Sequence, residues 1–600
     1  MTETMPISTT ITSERIYQAI LHGAASIRDN YEELNRINVY PVVDYDTGSN
    51  LAHTMNYILS HVTVHETVRD TLRDVARSAL ISARGNSGAI FSQYFNGLYL
   101  ASSEGSTLSL TELATCFHTA YEKAFKALEN AVEGTIITLM RAWAVGFKEA
   151  LQQSLSPHEL FESTLSRIRT ALEDTSKTLS DLKALGLVDA GALGYYYFME
   201  GFVQALLGRK TILPNHVVAS TLPRMDQDFH LTSEQATINY RYCTEVLLES
   251  DSYDETALRA DLSRLGDCLL VAAADNLARI HLHTNTPWEM VRLAATHGNI
   301  LEQKADDMVL QNLLAGPAEQ KIACVTDSIA DLPREYVHHH HIFQIPLNIL
   351  IGQTSYLDKV TIDRTYLYDH LSEASSAQLN REQIQSFLTP ILAHYESVLI
   401  LTVSSKMSGT YTRFKEYIAD IGPDASRVAL VDTKVNSGAQ GLLVQAAVEK
   451  IESGMSLTEL ASEMEVMRSR AKILVSVLDI EPMARSGRVS EKIGRLLIRL
   501  HFKPLVSIDP DGHGAIRGIA FSREKNWKLL LRSLKRHQFT DYVIVHADAT
   551  ERAEEQRQEM VLLTGHEPKY ITDISAIVAL FAGRGSVAVA YMEDHAKEST

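Results

Sequence analysis

The prediction for the first third of the chain rests on one stretch, Pro41-Val42-Val43-Asp44-Tyr45-Asp46-Thr47-Gly48-Ser49-Asn50. Pro41 and Gly48 are typical of a loop, and apolar residues recur at helical spacing directly after it. Two carboxylates two residues apart, Asp44 and Asp46, can bind one hard cation such as Mg²⁺. The exposed N–H groups of the following helix can bind an anion. The stretch therefore predicts a metal site beside a phosphate site, which is the arrangement that nucleotide chemistry requires.

Composition restricts the classes of partner. The 600 residues carry 56 Lys and Arg against 74 Asp and Glu, a net charge of −18. This balance argues against nucleic-acid binding and gives no support for attachment to anionic lipid. Four scattered cysteines are too few for a disulfide framework. Since the sequence shows neither a signal-peptide core nor a run approaching the ~18 apolar residues of a membrane span, we expect a cytoplasmic protein.

Hydrophobic periodicity divides the chain into three predicted domains. Residues 1–208 show apolar positions at three- and four-residue spacing, which predicts an all-α domain. Strand-like runs alternate with helical stretches over residues 209–316, which predicts a small α/β domain. After a short linker, residues 321–600 alternate strands with helices. That order predicts an α/β domain with a largely parallel sheet.

Three further glycine-bearing turns of the helical domain are candidates for holding a nucleotide. Ala83-Arg84-Gly85-Asn86-Ser87-Gly88 precedes a helix, so its backbone amides and hydroxyls could approach phosphates closely. Glu133-Gly134-Thr135 and Val188-Asp189-Ala190-Gly191 are similar turns between helices. Any one of them could equally be an ordinary helix cap or C-terminal glycine. Their occurrence together, in this order, favours a nucleotide site.

These motifs resemble the nucleotide-binding subunit of bacterial dihydroxyacetone kinases and, more closely, the N-terminal domain of bacterial fatty acid kinase ATP-binding proteins. The matching stretches are residues 38–50, 83–88, 132–135 and 188–191. The resemblance implies binding of Mg²⁺ and ATP, with Asp44 and Asp46 as catalytic metal ligands. The nucleotide-binding residues that it implies are Thr47, Ser49, Asn50, Asn86, Ser87, Gly88, Thr135 and Asp189. Tyr45 departs from the family, whose members usually have Gly between the two carboxylates.

The middle domain contains a candidate metal site. Ile280-His281-Leu282-His283 places two imidazoles on one face of a predicted strand, and Cys243 begins another strand. One Cys and two His suit Zn²⁺, with a fourth position left for water or an outside ligand. The alternative is a half-buried strand with solvated histidines and a small core cysteine. The pattern resembles the middle domain of the same fatty acid kinase proteins, where a matching Cys and His-x-His are functional, and this favours zinc.

Hydroxyl-rich turns follow two strands of the C-terminal domain. The strand Ser397–Val403 runs into Ser404-Ser405-Lys406-Met407-Ser408-Gly409-Thr410-Tyr411 before a helix, which suits carboxylate binding. The turn in Val325–Pro333 is similar, although ordinary Ser/Thr capping would explain either one alone. Both stretches, together with Leu478–Val489, resemble DegV proteins, the fatty-acid-binding partners of these kinases.

The DegV resemblance implies an apolar tunnel for an acyl chain. The lipid-binding residues that it implies are Ser376, Ser408, Gly409, Thr410, Thr326 and Arg584, with Ser408 on the carboxylate. Family members usually have a histidine near the C-terminus that reaches the carboxylate, whereas this chain has Phe581-Ala582-Gly583-Arg584-Gly585. Because Phe581 cannot donate a hydrogen bond, either Arg584 substitutes for the histidine or the head group differs.

Together the resemblances predict a single-chain fatty acid kinase that passes the γ-phosphoryl group of ATP to a carboxylate held in its own DegV-like domain. Arg488 is a candidate cation for this transfer. The expected ligands are Mg²⁺, ATP, a fatty acid and Zn²⁺, and we expect a homodimer. Two alternatives stay open: a non-catalytic fatty-acid carrier or sensor with a degenerate kinase, and a kinase for a small hydroxyketone. The second ranks lower because no segment resembles the domain that traps that substrate on a histidine.

Overall fold

The computed structural model describes residues 10–38, 46–128, 131–178, 180–209, 238–485, 498–500 and 502–594. The chain folds into two compact units, Met1–Gly316 and Pro317–Thr600. Within the described ranges, no helix is long and apolar enough to cross a membrane.

The N-terminal part of the first unit is helical, as predicted. Its described helices are α1 (Ser13–Asp29), α2 (Tyr31–Arg36), α3 (Thr47–His61), α4 (Val68–Ser82), α5 (Gly85–Ala101), α6 (Leu110–Ala127), α7 (Ile136–Gln152), α8 (Pro157–Thr178), α9 (Ser180–Leu185) and α10 (Ala190–Leu206). A two-stranded antiparallel ribbon, β1 (Thr10–Thr12) with β2 (Thr107–Ser109), leads into α1 and α6. Ser109 and Glu112 form a capping box that fixes the start of α6.

Aromatic packing between α5 and α10 forms the centre of the helical domain. The ring centroids of Phe91 and Phe198 lie 5.7 Å apart, and those of Tyr94 and Tyr195 lie 5.3 Å apart, both edge-on. The Tyr195 hydroxyl donates a hydrogen bond to the Tyr94 hydroxyl at 2.9 Å. Large buried rings in these orientations stabilise the pair of helices strongly. The packing holds the starts of α5 and α10, which carry two of the glycine-bearing motifs, in a fixed relation.

The middle region is a four-stranded antiparallel sheet with short helices, which confirms the predicted small α/β region. Its strands are β3 (Tyr242–Glu249), β4 (Gly266–Ala274), β5 (Leu277–Thr284) and β6 (Asn299–Asp307), in the order β4-β5-β3-β6. Its helices are α11 (Glu255–Leu262), α12 (Pro287–Ala294) and α13 (Met308–Ala315). Leu247, Leu270 and Leu277 belong to the same buried cluster as the helical domain, so the sheet packs directly on the helices.

The second unit contains the predicted parallel sheet and two further sheets. The parallel sheet has the order β13-β12-β7-β8, built from β7 (Ile322–Asp327), β8 (Phe343–Ile345), β12 (Ser397–Thr402) and β13 (Val428–Asp432). A three-stranded antiparallel sheet contains β9 (Asn348–Ile351), β10 (Thr354–Leu357) and β11 (Ala374–Ala377). A six-stranded sheet contains β14 (Ala471–Ser476), β15 (Lys503–Ile508), β16 (Gly514–Ala520), β17 (Phe539–His546), β18 (Ile571–Asp573) and β19 (Val587–Glu593), in the order β16-β15-β14-β19-β17-β18. Only β17 and β18 pair in parallel in this last sheet.

Helices cover the sheets of the second unit. They are α14 (Arg334–His339), α15 (Arg364–Asp369), α16 (Arg381–His394), α17 (Thr410–Asp420), α18 (Ser437–Glu452), α19 (Leu457–Met467), α20 (Glu481–Arg485), α21 (Arg523–Leu534), α22 (Thr550–Thr564) and α23 (Ala576–Ala582). Helix α17 begins at the hydroxyl-rich turn, and α23 begins near the end of the chain. The sequence predicts lipid-binding residues at both places.

Candidate functional site

The predicted metal loop lies before α3, and its described part is held by α2. Asp46 is the N-cap residue of α3, and its carbonyl accepts a hydrogen bond from the Asn50 N–H at 2.8 Å. The Asn35 amide clamps the first turn, accepting from Ser49 N at 2.9 Å and donating to Ser49 Oγ at 2.8 Å. Thr47 is the first residue of the helix. Asp44, Tyr45 and Arg488 lie outside the described residues.

The second motif, Ala83–Gly88, lies beside the first. Gly85 begins α5 with φ +61°, and a Cβ at this position would come within 2.8 Å of Asn50 Nδ2. The start of α5 is therefore next to the first turn of α3. The side chain of Arg84, the N-cap residue, makes no capping hydrogen bond. Consequently the first N–H groups of α5 are available to an acceptor from another element.

The remaining motifs converge on the same place. A Cβ at Gly191, in the first turn of α10, would lie 3.2 Å from Ser87 Oγ and 3.5 Å from Ile136 Cβ, so the starts of α5, α7 and α10 meet. Thr135 is the N-cap residue of α7, and its hydroxyl donates to the Val132 carbonyl at 2.7 Å. The structure thus brings together the starts of four helices that bear the predicted nucleotide residues. Their N-terminal N–H groups provide a field that favours an anion.

Asp189 serves as a helix cap within this group. Its buried carboxylate accepts from the Ala192 N–H at 2.8 Å, which fixes the start of α10. Burial raises the pKa of Asp189 to about 6, and hydrogen bonds from backbone N–H groups at Ala192 and Ile136 oppose that rise. The sequence left open whether this turn is an ordinary helix cap, and its local structure is that of a helix cap.

In the middle region, the predicted metal ligands lie together. Cys243 faces His283 across the β3–β5 pair, and Cys243 Sγ lies 3.7 Å from His281 Nδ1 and 4.0 Å from His281 Nε2. The ligand atoms of Cys243, His281 and His283 all lie within 4.8 Å of one another. Both histidines are buried rather than solvated. One thiol and two imidazoles in a compact group fit the donor set of Zn²⁺.

Two carboxylates face the histidines of this group. Glu245 Oε1 lies 3.4 Å from His281 Nδ1, and Asp267 Oδ1 lies 3.5 Å from His283 Nδ1. A carboxylate on the second ring nitrogen is the usual partner of a metal-binding histidine, because it fixes the ring and its tautomer. Burial lowers the pKa of His283 to about 3, which keeps its imidazole neutral, the form that binds a metal.

Glu245 also contacts the nucleotide motif of the helical domain. Its Oε1 accepts a hydrogen bond from the Gly85 N–H at 2.5 Å. Burial would raise the pKa of Glu245, but the hydrogen bond from His281 and the charge of Lys304 outweigh it and lower the pKa to about 2. Glu245 is not among the site residues predicted from the sequence. Its position two residues after Cys243 on one strand, hence on the same face, was the available signal.

Arg279 is a second polar residue that the sequence analysis missed. Its guanidinium, only 3% exposed, donates to the carbonyl oxygens of Leu80 and Ile81 at the end of α4. It also pairs with Glu302 at 3.1 Å. These contacts attach β5 to the segment that leads into Gly85. Burial raises the pKa of the Cys243 thiol, and the charges of Glu245 and, more weakly, Asp46 add to that rise.

The second unit encloses a cavity of about 590 Å³ between the sheets and α23. Its walls are mainly aliphatic and come from the following residues: Ile329, Leu347, Val403, Ile473, Val475, Val506, Ile516, Val545, Ile577, Val578 and Val587. Among the described residues, none of those that line the cavity is ionisable. Such a lining suits an apolar ligand with few polar atoms.

Four of the predicted head-group residues belong to the polar part of the lining. Ser376, Ser408, Gly409 and Thr410 all border the cavity, and Ser408 Oγ lies 2.9 Å from Thr410 Oγ1. A Cβ at Gly409 would come within 2.8 Å of Gln378 Nε2, so β11 and the start of α17 meet here. The hydroxyls are therefore grouped beside the N-terminus of an eleven-residue helix.

Two predicted lipid-binding residues lie elsewhere. The buried Thr326 hydroxyl donates to the Leu401 carbonyl at 2.8 Å, within the parallel sheet. Arg584 pairs with Asp548 at 2.6 Å and lies over the ring of Tyr368. Neither is among the described residues that line the cavity, whereas Phe581 is.

Comparison with known proteins accounts for most of the chain. Residues 41–204 match the model of the DAK2 domain, and residues 239–313 match that of the middle domain of FakA-like fatty acid kinases. Residues 321–594 match the model of the DegV family. The chain joins these three regions. The resemblance drawn from the sequence motifs is thereby confirmed for each of them.

Similar curated proteins match only part of the chain. An uncharacterised protein of Staphylococcus haemolyticus is 31% identical over 297 residues, and one of Staphylococcus aureus is 31% identical over 303 residues. Each alignment covers 48% of this chain and 54% of the relative, so the chain spans about half the length of the curated relatives it matches.

Solved structures resemble about half of the chain. A fatty-acid-binding DegV family protein from Thermus thermophilus aligns with a TM-score of 0.42 and 23% identity, covering 46% of this chain and 100% of its own. DegV from Bacillus subtilis, described as a fatty acid binding protein, aligns with a TM-score of 0.41 and 21% identity over the same shares.

Proposed function

We propose that this chain is an ATP-dependent kinase that phosphorylates the carboxylate of a fatty acid held in its own DegV-like region, giving an acyl phosphate. The observation that carries it is the cavity of the second unit, whose aliphatic walls and grouped hydroxyls suit an acyl chain with one polar end. The chain that contains this cavity also matches a DAK2 domain and the middle domain of FakA-like fatty acid kinases, which supports a phosphoryl donor.

In the proposed reaction, the N–H groups at the starts of α3 and α5 bind the phosphates of ATP. Ser408 and Thr410 donate hydrogen bonds to the acyl head group and orient it. A carboxylate oxygen forms a bond to the γ-phosphorus, the bond from that phosphorus to the β,γ-bridging oxygen breaks, and ADP leaves with the electron pair. Asp44 and Asp46 would hold Mg²⁺, which supplies neutralisation of phosphate charge. Cys243, His281 and His283 would hold Zn²⁺.

A non-catalytic carrier is the second candidate, and Phe581 favours it. This residue borders the cavity where relatives usually have a histidine, so the head group lacks one donor. The two candidates share the ligand but differ in turnover. A carrier retains fatty acid and forms no acyl phosphate when ATP is added.

Replacing Ser408 by Ala tests the ligand assignment. We expect full-length protein to co-purify with fatty acid, identified by mass spectrometry after extraction. S408A should bind it about 10- to 150-fold more weakly, since a hydrogen bond to a charged group contributes about 1.5–3 kcal/mol. S462A, an exposed serine of α19, is the matched control and should bind as the wild type does. Absence of co-purified lipid, with no binding of added fatty acid, would contradict both candidates.

A further inference from the structure

A carboxylate of the middle region occupies the start of the helix that bears the second nucleotide motif. The Gly85 N–H, the first of α5, donates to Glu245 Oε1 at 2.5 Å. Such N–H groups favour an anion, because they are unsatisfied within the helix and lie at its positive end. Glu245 is therefore already bound at a position that a phosphate oxygen of a nucleotide would take.

The same carboxylate belongs to the Cys243, His281 and His283 group. Its Oε1 lies 3.4 Å from His281 Nδ1. Its other oxygen, Oε2, is buried, accepts no hydrogen bond from any residue that the structure describes, and lies 3.8 Å from Arg279 Nη1. The Glu245 side chain is only 4% exposed, so water cannot easily replace its protein partners. Gly85 and His281 thus share one oxygen of a buried carboxylate whose charge is also balanced by Lys304 and Arg279.

A phosphate and Glu245 cannot both use the Gly85 N–H. Each is anionic, and two anions at one buried helix start repel each other strongly in a medium of low dielectric constant. Nucleotide binding at this motif therefore requires Glu245 to leave Gly85. His281 is the donor already within reach.

His281 donates more strongly when it holds a metal. A metal held by the other ring nitrogen of His281 would keep the proton on Nδ1 and would strengthen the hydrogen bond from Nδ1 to a carboxylate. Glu245 would then shift its hydrogen bonding from Gly85 towards His281. The Gly85 N–H would become available to phosphate.

We propose that Glu245 is a positioning residue that links the two sites: it blocks the Gly85 N–H while the Cys243, His281 and His283 group is free of metal and releases it when the group binds one. The linkage rests on the proposed function only in assuming that a nucleotide binds at Gly85. Because coupling between two binding sites is reciprocal, a metal that favours nucleotide binding must itself bind more tightly in the presence of nucleotide.

The test measures the dissociation constant of Mg·ADP for the full-length chain, with zinc bound and after removal of zinc by a zinc-selective chelator in excess Mg²⁺. Zinc content is determined directly in each sample. We expect zinc to tighten ADP binding about 5- to 50-fold in the wild type, within the usual range of such couplings. ADP should tighten zinc binding by the same factor. No zinc binding, no coupling, or weaker ADP binding with zinc would each overturn the proposal.

Variants separate Glu245 from a general effect of zinc. E245A removes the acceptor of the Gly85 N–H altogether, and E245D shortens the side chain. Without zinc, we expect both to bind ADP as tightly as the zinc-loaded wild type, with less than a twofold further effect of zinc. E302Q is the matched control, because Glu302 also pairs with Arg279 but does not contact Gly85, and it should keep the wild-type coupling. Full coupling in E245A and E245D would contradict the role of Glu245.

The assay contains no fatty acid and requires no turnover. A chain that forms no acyl phosphate but shows the coupling would disprove the proposed function and leave the linkage intact. A chain that forms acyl phosphate without the coupling would do the reverse.

Discussion

Gly48 shows how one residue shapes the candidate nucleotide site. It lies in the first turn of α3, where a Cβ would collide with the Tyr31 carbonyl oxygen and approach Asn35 N to 2.9 Å. Both neighbours are backbone atoms of α2, which cannot move as a flexible side chain can. A glycine is therefore required for α3 to start this close to α2.

Replacing Gly48 by Ala should displace the first turn of α3. We expect a loss of about 1–3 kcal/mol in the free energy of unfolding, typical of overpacking, and at least tenfold weaker ADP binding. Urea unfolding and equilibrium binding measure the two effects. G105A is the control, because a Cβ there meets no described atom closer than 3.4 Å. Unchanged ADP affinity in G48A would separate this turn from the nucleotide site.

Glu245 shows which contacts of a single residue can be predicted from a sequence and which cannot. Alternation along β3 places it on the face of Cys243, so its participation in the metal group was predictable. Its hydrogen bond to Gly85, 160 residues earlier, was not, because it depends on how the sheet packs on the helices. The convergence of Asn50, Gly85 and Ser87 likewise follows from packing rather than from spacing.

Among the secondary-structure elements, α23 connects the cavity to a group of buried carboxylates. Asp331 Oδ1 accepts from the Ser575 N–H at 2.7 Å, and Asp358 Oδ1 accepts from the Ala576 N–H at 2.8 Å. Both aspartates are fully buried. They hold the start of the helix that brings Phe581 to the cavity, so their charge state affects one wall of the proposed lipid site.

These carboxylates should make the second unit less stable as the pH rises. Burial raises the pKa of Asp358 to about 6, whereas an unfolded aspartate titrates near ~3.9. The folded state therefore holds the proton more tightly, and its contribution is full below about pH 4 and lost as the pH rises through 6. The change is about 3 kcal/mol for one such group over the whole titration, of which about 1.4 kcal/mol falls between pH 5.0 and 7.5. Pulse proteolysis in urea at pH 5.0 and 7.5 reports it for each unit.

In D358N this position no longer titrates. The amide oxygen of Asn can still accept from the Ala576 N–H, and its NH₂ group takes the place of the oxygen beside Ser328. We expect the difference in unfolding free energy between the two pH values to shrink in D358N. D511N, at an exposed carboxylate, should keep the wild-type difference. An identical pH dependence in wild type and D358N would contradict the assignment.

The elements of the second unit were only partly predictable. The strand predicted over Ser397–Val403 is a continuous apolar run and corresponds to β12. The pattern does not predict β15 and β16, since Pro504 argues against a strand interior and β16 carries glycines at both Gly514 and Gly518. Most strand pairs of the six-stranded sheet are antiparallel. Without the β15–β16 hairpin, the sequence pattern could not distinguish this sheet from a continuation of the parallel sheet.

For the molecule as a whole, the three regions and their order were predictable because each carries its own motifs. Joining the proposed phosphoryl donor and acceptor sites in one chain raises their effective concentration for each other. The net charge of −18 adds to the repulsion among phosphate, carboxylate and protein, which makes charge neutralisation by the metal that Asp44 and Asp46 would hold central to the proposed transfer.

The rate of acyl phosphate formation tests that role most directly. Full-length protein is incubated with ATP, Mg²⁺ and fatty acid, and the product is trapped by hydroxylamine as the acyl hydroxamate. We predict steady formation by the wild type and by E104Q, which changes an exposed carboxylate remote from the motifs, and at least a hundredfold loss when Asp44 and Asp46 are both replaced by Ala. Equal rates in the wild type and the double variant would contradict the proposed kinase mechanism.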